Sequence, residues 1–176
     1  LTMKHWGGSD SFYPNQEDFQ RSQREQLKRS VLLLPWIATI DAFQQWIYAN
    51  PRHTRAQREA IWLGLDDRFG SSCSWDGIEK FRPYLWQRQL HLFTHPFYYI
   101  EYGLAQLGAL QVWRNALSDQ AQSVADYRAA LALGYTRSLP ALFTVAGARF
   151  AFDRQTLGQL MALIQDCQLF LDQRHE

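Results

Sequence analysis

Cysteine is scarce in this chain of 176 residues: Cys73 and Cys167 are its only two. They stand too far apart in sequence for a C-x-x-C motif or a metal-ligand spacing, so neither a disulfide framework nor a self-contained zinc knuckle is indicated. A reducing, cytoplasmic setting is expected. Charge of one sign is also missing: 18 basic and 17 acidic residues leave a net charge of +1, which lacks the electrostatic footprint of a nucleic-acid binder. The basic residues Arg21, Arg24, Lys28 and Arg29 are interleaved with Glu17, Asp18 and Glu25, the pattern of a solvated helix face. No stretch reads as a membrane span, because the most apolar window, Pro96–Trp113, carries Glu101, Gln106, Gln111 and three tyrosines. No nucleic-acid or membrane partner is therefore expected. Leu1–Gly8 lacks the apolar run of a secretory leader. The first methionine is Met3, which leaves an unusual start, a processed product and a fragment all open. Complete catalytic motifs are absent too. There is no H-E-x-x-H, the one His-Glu pair being His175-Glu176 at the end, and no G-x-S-x-G or G-x-x-x-x-G-K-[ST].

Aromatic residues, by contrast, are abundant: 15% of the chain, with seven Trp, eight Tyr and eleven Phe, in a composition that is 47% hydrophobic. That excludes disorder and points to a real core or an aromatic-lined groove. The length suits a single segment, 1–176, with an irregular lead-in over residues 1–14 rich in turn formers. The periodicity predicts an all-α chain. Asn15 reads as an N-cap for a long helix to about Ala49, with Glu17 and Asp18 favourably placed in its first turn. Pro35 should kink or break that helix. Thr54-Arg55-Ala56-Gln57 has the form of a capping box ahead of a helix with Ile61, Trp62, Leu65 and Phe69 on its apolar stripe, closed by Gly70. Asp76–Phe93 and Pro96–Leu117 read as further helices, followed by Ser123–Leu133, a short helix opened by Ser138 and Pro140 and ended by Gly147, and a terminal helix capped by Asp153. Only Arg149–Phe152 looks extended. The helix from Pro96 carries just Glu101 and Arg114 as charges, so it should be covered on every side. An exposed apolar patch there would imply a missing partner.

The stretch His91–Ala109, HLFTHPFYYIEYGLAQLGA, is where the residues suggest chemistry. With Pro96 at the first helical position, helical spacing would put His95, Tyr99 and Tyr102 on one face, with Tyr98 one turn from Tyr102. Imidazole and phenol groups gathered in this way can donate hydrogen bonds to a carbonyl or to the oxyanion it becomes. The other reading makes the tyrosines amphipathic core residues whose hydroxyls reach water. His91 and His95 share an i, i+4 spacing, but a residue before proline is pushed out of the helical region, which argues against a zinc site built from them. Glu101 is expected to pair with an arginine such as Arg88, and Asp41 to serve as a structural hydrogen-bond acceptor.

Together with Leu34-Pro-Trp-Ile-Ala-Thr-Ile-Asp-Ala-Phe-Gln-Gln-Trp-Ile-Tyr, the Tyr84-Leu-Trp-Gln-Arg-Gln-Leu approach to His91, and the Ala132-Leu-Gly-Tyr-Thr-Arg-Ser-Leu-Pro-Ala-Leu-Phe-Thr-Val-Ala-Gly-Ala-Arg-Phe segment, this stretch resembles the C-terminal part of oligoendopeptidase F. That family belongs with the zinc metallopeptidases of the thimet oligopeptidase and neurolysin type. The resemblance implies a helical zincin-type oligopeptidase catalytic domain that cleaves short peptides. It also implies zinc held by an H-E-x-x-H motif and a further Glu on an N-terminal part that this sequence does not contain. It assigns His91, Tyr99 and Tyr102 to transition-state stabilisation and His95 and Tyr98 to substrate binding, with no metal ligand and no bound metal of the chain's own. Gln45 stands where the family often shows His. A chain without the metal motif should be inactive by itself; a noncatalytic helical module binding peptides or a partner is the competing expectation.

Overall fold

The computed structural model describes residues 13–70 and 73–172. Among these residues the secondary structure is helical with no strand: α1 Gln16–Ala49, α2 Arg55–Phe69, a 3₁₀ helix Glu79–Arg88, α3 His91–Thr94, α4 Ile100–Ser118, α5 Gln120–Ala132, α6 Leu139–Val145 and α7 Arg154–Asp172. The all-α expectation holds. The irregular lead-in falls mostly outside the described residues, as do Ser71 and Ser72 of the loop after α2.

Caps set most of the boundaries. The Asn15 side-chain oxygen accepts from the Asp18 amide at 2.8 Å, satisfying one of the orphan donors at the start of α1. Thr54 and Gln57 exchange reciprocal bonds, Gln57 N to Thr54 Oγ1 at 3.2 Å and Thr54 N to Gln57 Oε1 at 2.9 Å, completing the capping box ahead of α2. Asp119 and Asp153 cap α5 and α7 through the amides of Gln122 and Thr156. Gly70 ends α2 by proximity and not by a left-handed turn. Its φ is −71°, and a Cβ there would sit 2.3 Å from the Asp66 carbonyl oxygen.

Three sequence expectations are corrected. The helix expected over Asp76–Phe93 is a 3₁₀ helix from Glu79 followed, after Gln89 and Leu90, by the single turn α3; Pro83 cannot donate to an α-helical ladder. Of the kink or break expected at Pro35, the break is absent: α1 runs continuously from Gln16 to Ala49. The helix expected from Pro96 begins at Ile100, because Phe97 adopts φ 59°, a left-handed conformation that no helix tolerates.

The chain divides into two compact units. One comprises the described residues up to Val31 and from Leu104 onward; the other spans Leu32–Gly103. In the second unit Ile40, Phe43 and Trp62 are fully buried with Trp86 nearly so, and Trp36, Ile47, Ile61, Leu65, Leu85, Leu92 and Tyr99 pack around them. Burying each large apolar side chain contributes roughly 1.5–3 kcal/mol, against about 1 kcal/mol for a polar tie such as Trp62 Nε1 to the Arg82 carbonyl at 3.0 Å. The cluster therefore owes its cohesion to packing. Arg82 also bridges Asp66 and Asp67, fastening the 3₁₀ helix to α2.

In the first unit buried Gln111 of α4 replaces a strand partner. Its Nε2 donates to the Arg149 carbonyl at 2.9 Å and its Oε1 accepts from the Arg149 amide at 2.9 Å. The extended look of Arg149–Phe152 is thus satisfied by a side chain and needs no sheet. Ser123 Oγ donates to the Val112 carbonyl at 2.9 Å, tying α5 to α4 beside the cluster of Val112, Ala130 and Ala146. α7 buries Thr156, Leu160 and Ile164, one stripe at helical spacing.

No helix among the described residues is long and apolar enough to cross a membrane. Of the two outcomes for the apolar helix, full cover or an exposed apolar patch, the second is found: Tyr102 and Leu117 of α4 are exposed, and in the run-up to it so are Leu90, Phe93, Phe97 and Tyr98.

Candidate active-site wall in Leu32–Gly103

The residues predicted to act together do meet, though not through helical spacing. α3 is one turn long, with the His95 amide donating to the His91 carbonyl at 3.0 Å. Pro96 then stops it, and left-handed Phe97 reverses the chain so that the Tyr98 amide returns to the His95 carbonyl at 3.2 Å. α4 starts immediately afterward, the Glu101 amide donating to the Tyr98 carbonyl at 3.0 Å. This turn folds all three tyrosines onto one imidazole. From the His91 ring, centroids lie at 5.1 Å for Tyr99, 5.5 Å for Tyr102, 6.2 Å for Tyr98 and 6.1 Å for His95. Tyr98 stacks on His91 at an interplanar angle of 8°, while Tyr102 meets it edge-on at 87°. Of the expected helical trio His95, Tyr99 and Tyr102, only Tyr102 is within a helix.

Two deeply placed groups hold the turn. The Phe97 amide donates to Gln44 Oε1 of α1 at 2.9 Å, and the Phe97 ring lies 4.7 Å from that of Tyr48. Trp36 Nε1 donates to Gln89 Oε1 at 3.2 Å, and Gln89 Nε2 is 2.7 Å from His91 Nδ1. The other imidazole nitrogen, His91 Nε2, lies 3.1 Å from the Tyr102 hydroxyl. His95 Nδ1 is engaged by the neighbouring Thr94 hydroxyl at 2.7 Å.

The cluster has a dry edge and a wet one. Tyr99 leans on the tryptophan core, and burial pushes its phenol above the usual tyrosine range, an effect opposed by its hydrogen bond with the Trp36 side chain. His95, Tyr98 and Tyr102 are exposed. Such a surface presents donors outward from a rigid backing, which suits the carbonyl groups of an extended peptide.

A metal does not fit these residues alone. Both nitrogens of His91 are already hydrogen-bonded, and among the described residues no group of three or more His, Cys, Asp or Glu side chains could hold an ion. Glu101 is exposed, and its expected partner Arg88 lies instead over the Trp36 ring, 4.9 Å from its centroid; the expected ion pair does not form. Asp41 is half-buried, and burial raises its carboxyl pKa. No hydrogen bond is among the causes that act on its carboxyl, so it is not the structural acceptor expected. Gln45 is exposed on α1.

Sequence reasoning missed Gln44, Gln89 and Trp36 as supports. Trp36 and Gln89 occur in two of the segments that carry the resemblance, 53 residues apart, and no local spacing links them.

No family model matches the chain, and neither does any curated protein. Solved structures do. An oligoendopeptidase F superposes with a TM-score of 0.79 and 32% identity, over 89% of this chain and 27% of its own length. In fold and sequence the chain is similar to part of an oligoendopeptidase F. A PZ peptidase A in complex with an inhibitor gives a TM-score of 0.80 at 29% identity, over 89% of this chain and 28% of that one. An oligoendopeptidase F from Bacillus anthracis str. Ames gives 0.64 at 25% identity, over 89% and 24%. The chain thus spans about a quarter of the length of the peptidases it matches, and its helices superpose on part of theirs.

Proposed function

We propose that this chain is the C-terminal portion of an oligoendopeptidase F-like zinc metalloendopeptidase and forms the hydrogen-bonding wall of its peptide site. The observation that carries this reading is the convergence of Tyr98, Tyr99, Tyr102 and His95 on the single His91 ring, in a fold shared with oligoendopeptidases. In this role the exposed hydroxyl of Tyr102 donates to the scissile carbonyl as it becomes an oxyanion, with the imidazole of His91 bound to that hydroxyl from behind and Tyr99 backing them. His95 and Tyr98 orient the backbone of a short peptide. Donors fixed in place before reaction stabilise developing charge without reorganisation, an effect worth about 2.7–4 kcal/mol per donor.

In the complete enzyme zinc would be held by an H-E-x-x-H-bearing N-terminal part, present either upstream in one longer polypeptide or as a separate companion. The exposed row Leu90, Phe93, Phe97, Tyr98 and Tyr102 is the kind of apolar surface that such a companion or a bound peptide covers. The same row also favours a second reading, a noncatalytic module that binds peptides. The chain is proposed to work in the cytoplasm.

The test is hydrolysis of an internally quenched short peptide by the chain alone and by the chain co-expressed with an H-E-x-x-H-bearing fragment, with zinc content measured in each. The expected result is no turnover and no stoichiometric zinc in the chain alone, and both in the pair. Zinc and turnover in the chain alone would overturn the assignment of the metal to a companion. An assembled but inactive pair that still binds peptide would favour the module.

A further inference from the structure

The hydrogen-bond chain Trp36–Gln89–His91–Tyr102 has only one consistent arrangement of protons. An indole N–H donates and never accepts, so the Gln89 oxygen must be the end that faces Trp36 Nε1 at 3.2 Å, an N–H that Gln89 shares with the Tyr99 hydroxyl. The Gln89 amide NH2 then faces His91 Nδ1 at 2.7 Å. An amide NH2 likewise only donates, so Nδ1 must offer its lone pair. The single N–H of the neutral ring is left on Nε2, which points at the Tyr102 oxygen 3.1 Å away. With that oxygen accepting from His91, the phenolic hydrogen of Tyr102 is directed elsewhere, and Tyr102 is 40% exposed. Reversing any member places two donors face to face.

We propose that Trp36 and Gln89 are positioning residues that lock His91 as its Nε2–H tautomer and thereby make the Tyr102 hydroxyl an outward hydrogen-bond donor. Both are half-buried behind the exposed Tyr102. Trp36 is anchored against Trp62, with ring centroids 6.0 Å apart at 81°, so the orientation of Gln89 is set by the core and transmitted through one amide to the imidazole. In the opposite tautomer, Nε2 would accept from Tyr102 and turn the phenolic proton inward, leaving an incoming carbonyl or oxyanion to face an oxygen lone pair. The purpose of the lock rests on the peptide-site reading above. The tautomer itself is measurable with neither peptide nor companion, so the two can fail separately.

The test is long-range proton–nitrogen NMR correlation on the full chain with isotopically labelled histidine, at a pH of about 8.5, two units above the ordinary imidazole value. His91 is expected to show a protonated Nε2 and an unprotonated Nδ1. In Gln89→Glu the carboxylate accepts from both Trp36 and His91, so the pattern should invert to Nδ1–H. In Gln89→Leu and Trp36→Phe the bias is lost, and both nitrogens should move toward averaged shifts. A wild-type His91 protonated on Nδ1 would overturn the proposal, as would a folded Gln89→Glu chain that keeps the wild-type pattern. If Gln89→Glu does not fold, the decision passes to Gln89→Leu and Trp36→Phe: averaging supports the lock, and an unchanged Nε2–H pattern in both refutes it. In the reconstituted pair Gln89→Glu should lower kcat at least tenfold with KM nearly unchanged, the mark of a donor lost in the transition state. An equal rise in KM with constant kcat would refute the functional half.

Discussion

Gln44→Leu separates the stability of the fold from the hold on the site. Gln44 is 2% exposed, its Oε1 accepts from the Phe97 amide at 2.9 Å, and its Nε2 is buried with no partner. The substitution therefore does two opposite things. It removes one hydrogen bond, worth about 0.5–1.5 kcal/mol net, and it removes a buried amide donor whose unmet demand costs about 1–3 kcal/mol. Phe97 is 39% exposed, so water can take over its freed N–H and little further penalty arises. The two contributions nearly cancel or favour the variant, and urea unfolding should give a stability no more than about 1 kcal/mol below wild type. Locally nothing cancels. Phe97 holds a left-handed conformation, which costs roughly 1–2 kcal/mol for an L-residue, and the lost bond is part of what holds it there. Hydrogen exchange at the Phe97 amide should accelerate about two- to tenfold, the equivalent of about 0.5–1.5 kcal/mol of easier local opening, while amides of the Trp62 core stay protected. A global loss above about 3 kcal/mol with Phe97 exchange unchanged would refute this reasoning, since it would make Gln44 a core-packing residue and not a clasp on the turn.

Gly147 has φ 70°, and a Cβ there would approach Asn115 Nδ2 to 3.1 Å; Gly147→Ala should cost about 1–2 kcal/mol, read as a lower urea midpoint with unchanged m-value. Asp41→Asn should raise the melting temperature at neutral pH and have little effect below about pH 3, where an ordinary carboxyl is already protonated. The sign follows from burial raising the folded-state pKa of Asp41: the neutral form is the one the fold favours, its contribution is present below the unfolded value, and it is lost as pH rises through the folded value. Equal melting shifts at the two pH values would contradict this. Tyr102→Phe in the reconstituted pair should lower kcat about 10²–10³-fold if its hydroxyl is an oxyanion donor, with peptide binding measured by fluorescence anisotropy nearly unchanged. A loss confined to binding would reassign Tyr102 to substrate recognition.

The parts legible in the sequence were those governed by neighbours. The Asn15 cap, the Thr54–Gln57 box and the Asp153 cap each depend on groups within three residues, so they could be read directly and stand in the structure. Where Pro96 would begin a helix could not be read in the same way. Proline at a first helical position and proline ending a one-turn helix look alike in sequence, and the choice was made by the left-handed Phe97, which Gln44 accommodates from 53 residues away. The histidine and tyrosine cluster was therefore foreseen in membership but for the wrong geometric reason. Its supports, Trp36, Gln44 and Gln89, have no local signature at all.

By itself the sequence determined the helical class, the capped starts of α1, α2 and α7, the five residues of the candidate wall, and the resemblance that names a family. These rest on composition, short-range spacing and matched segments. Only the tertiary structure decided that the five residues converge on His91 through a turn and not along a helix, and that His91 has one permitted tautomer. It also decided that Asp41 and Glu101 lack the partners expected for them. The physical reason is common to all three: hydrogen-bond direction and burial depend on which side chains the fold brings face to face. Trp36 and Gln89 meet across 53 residues that carry no periodic trace of the meeting.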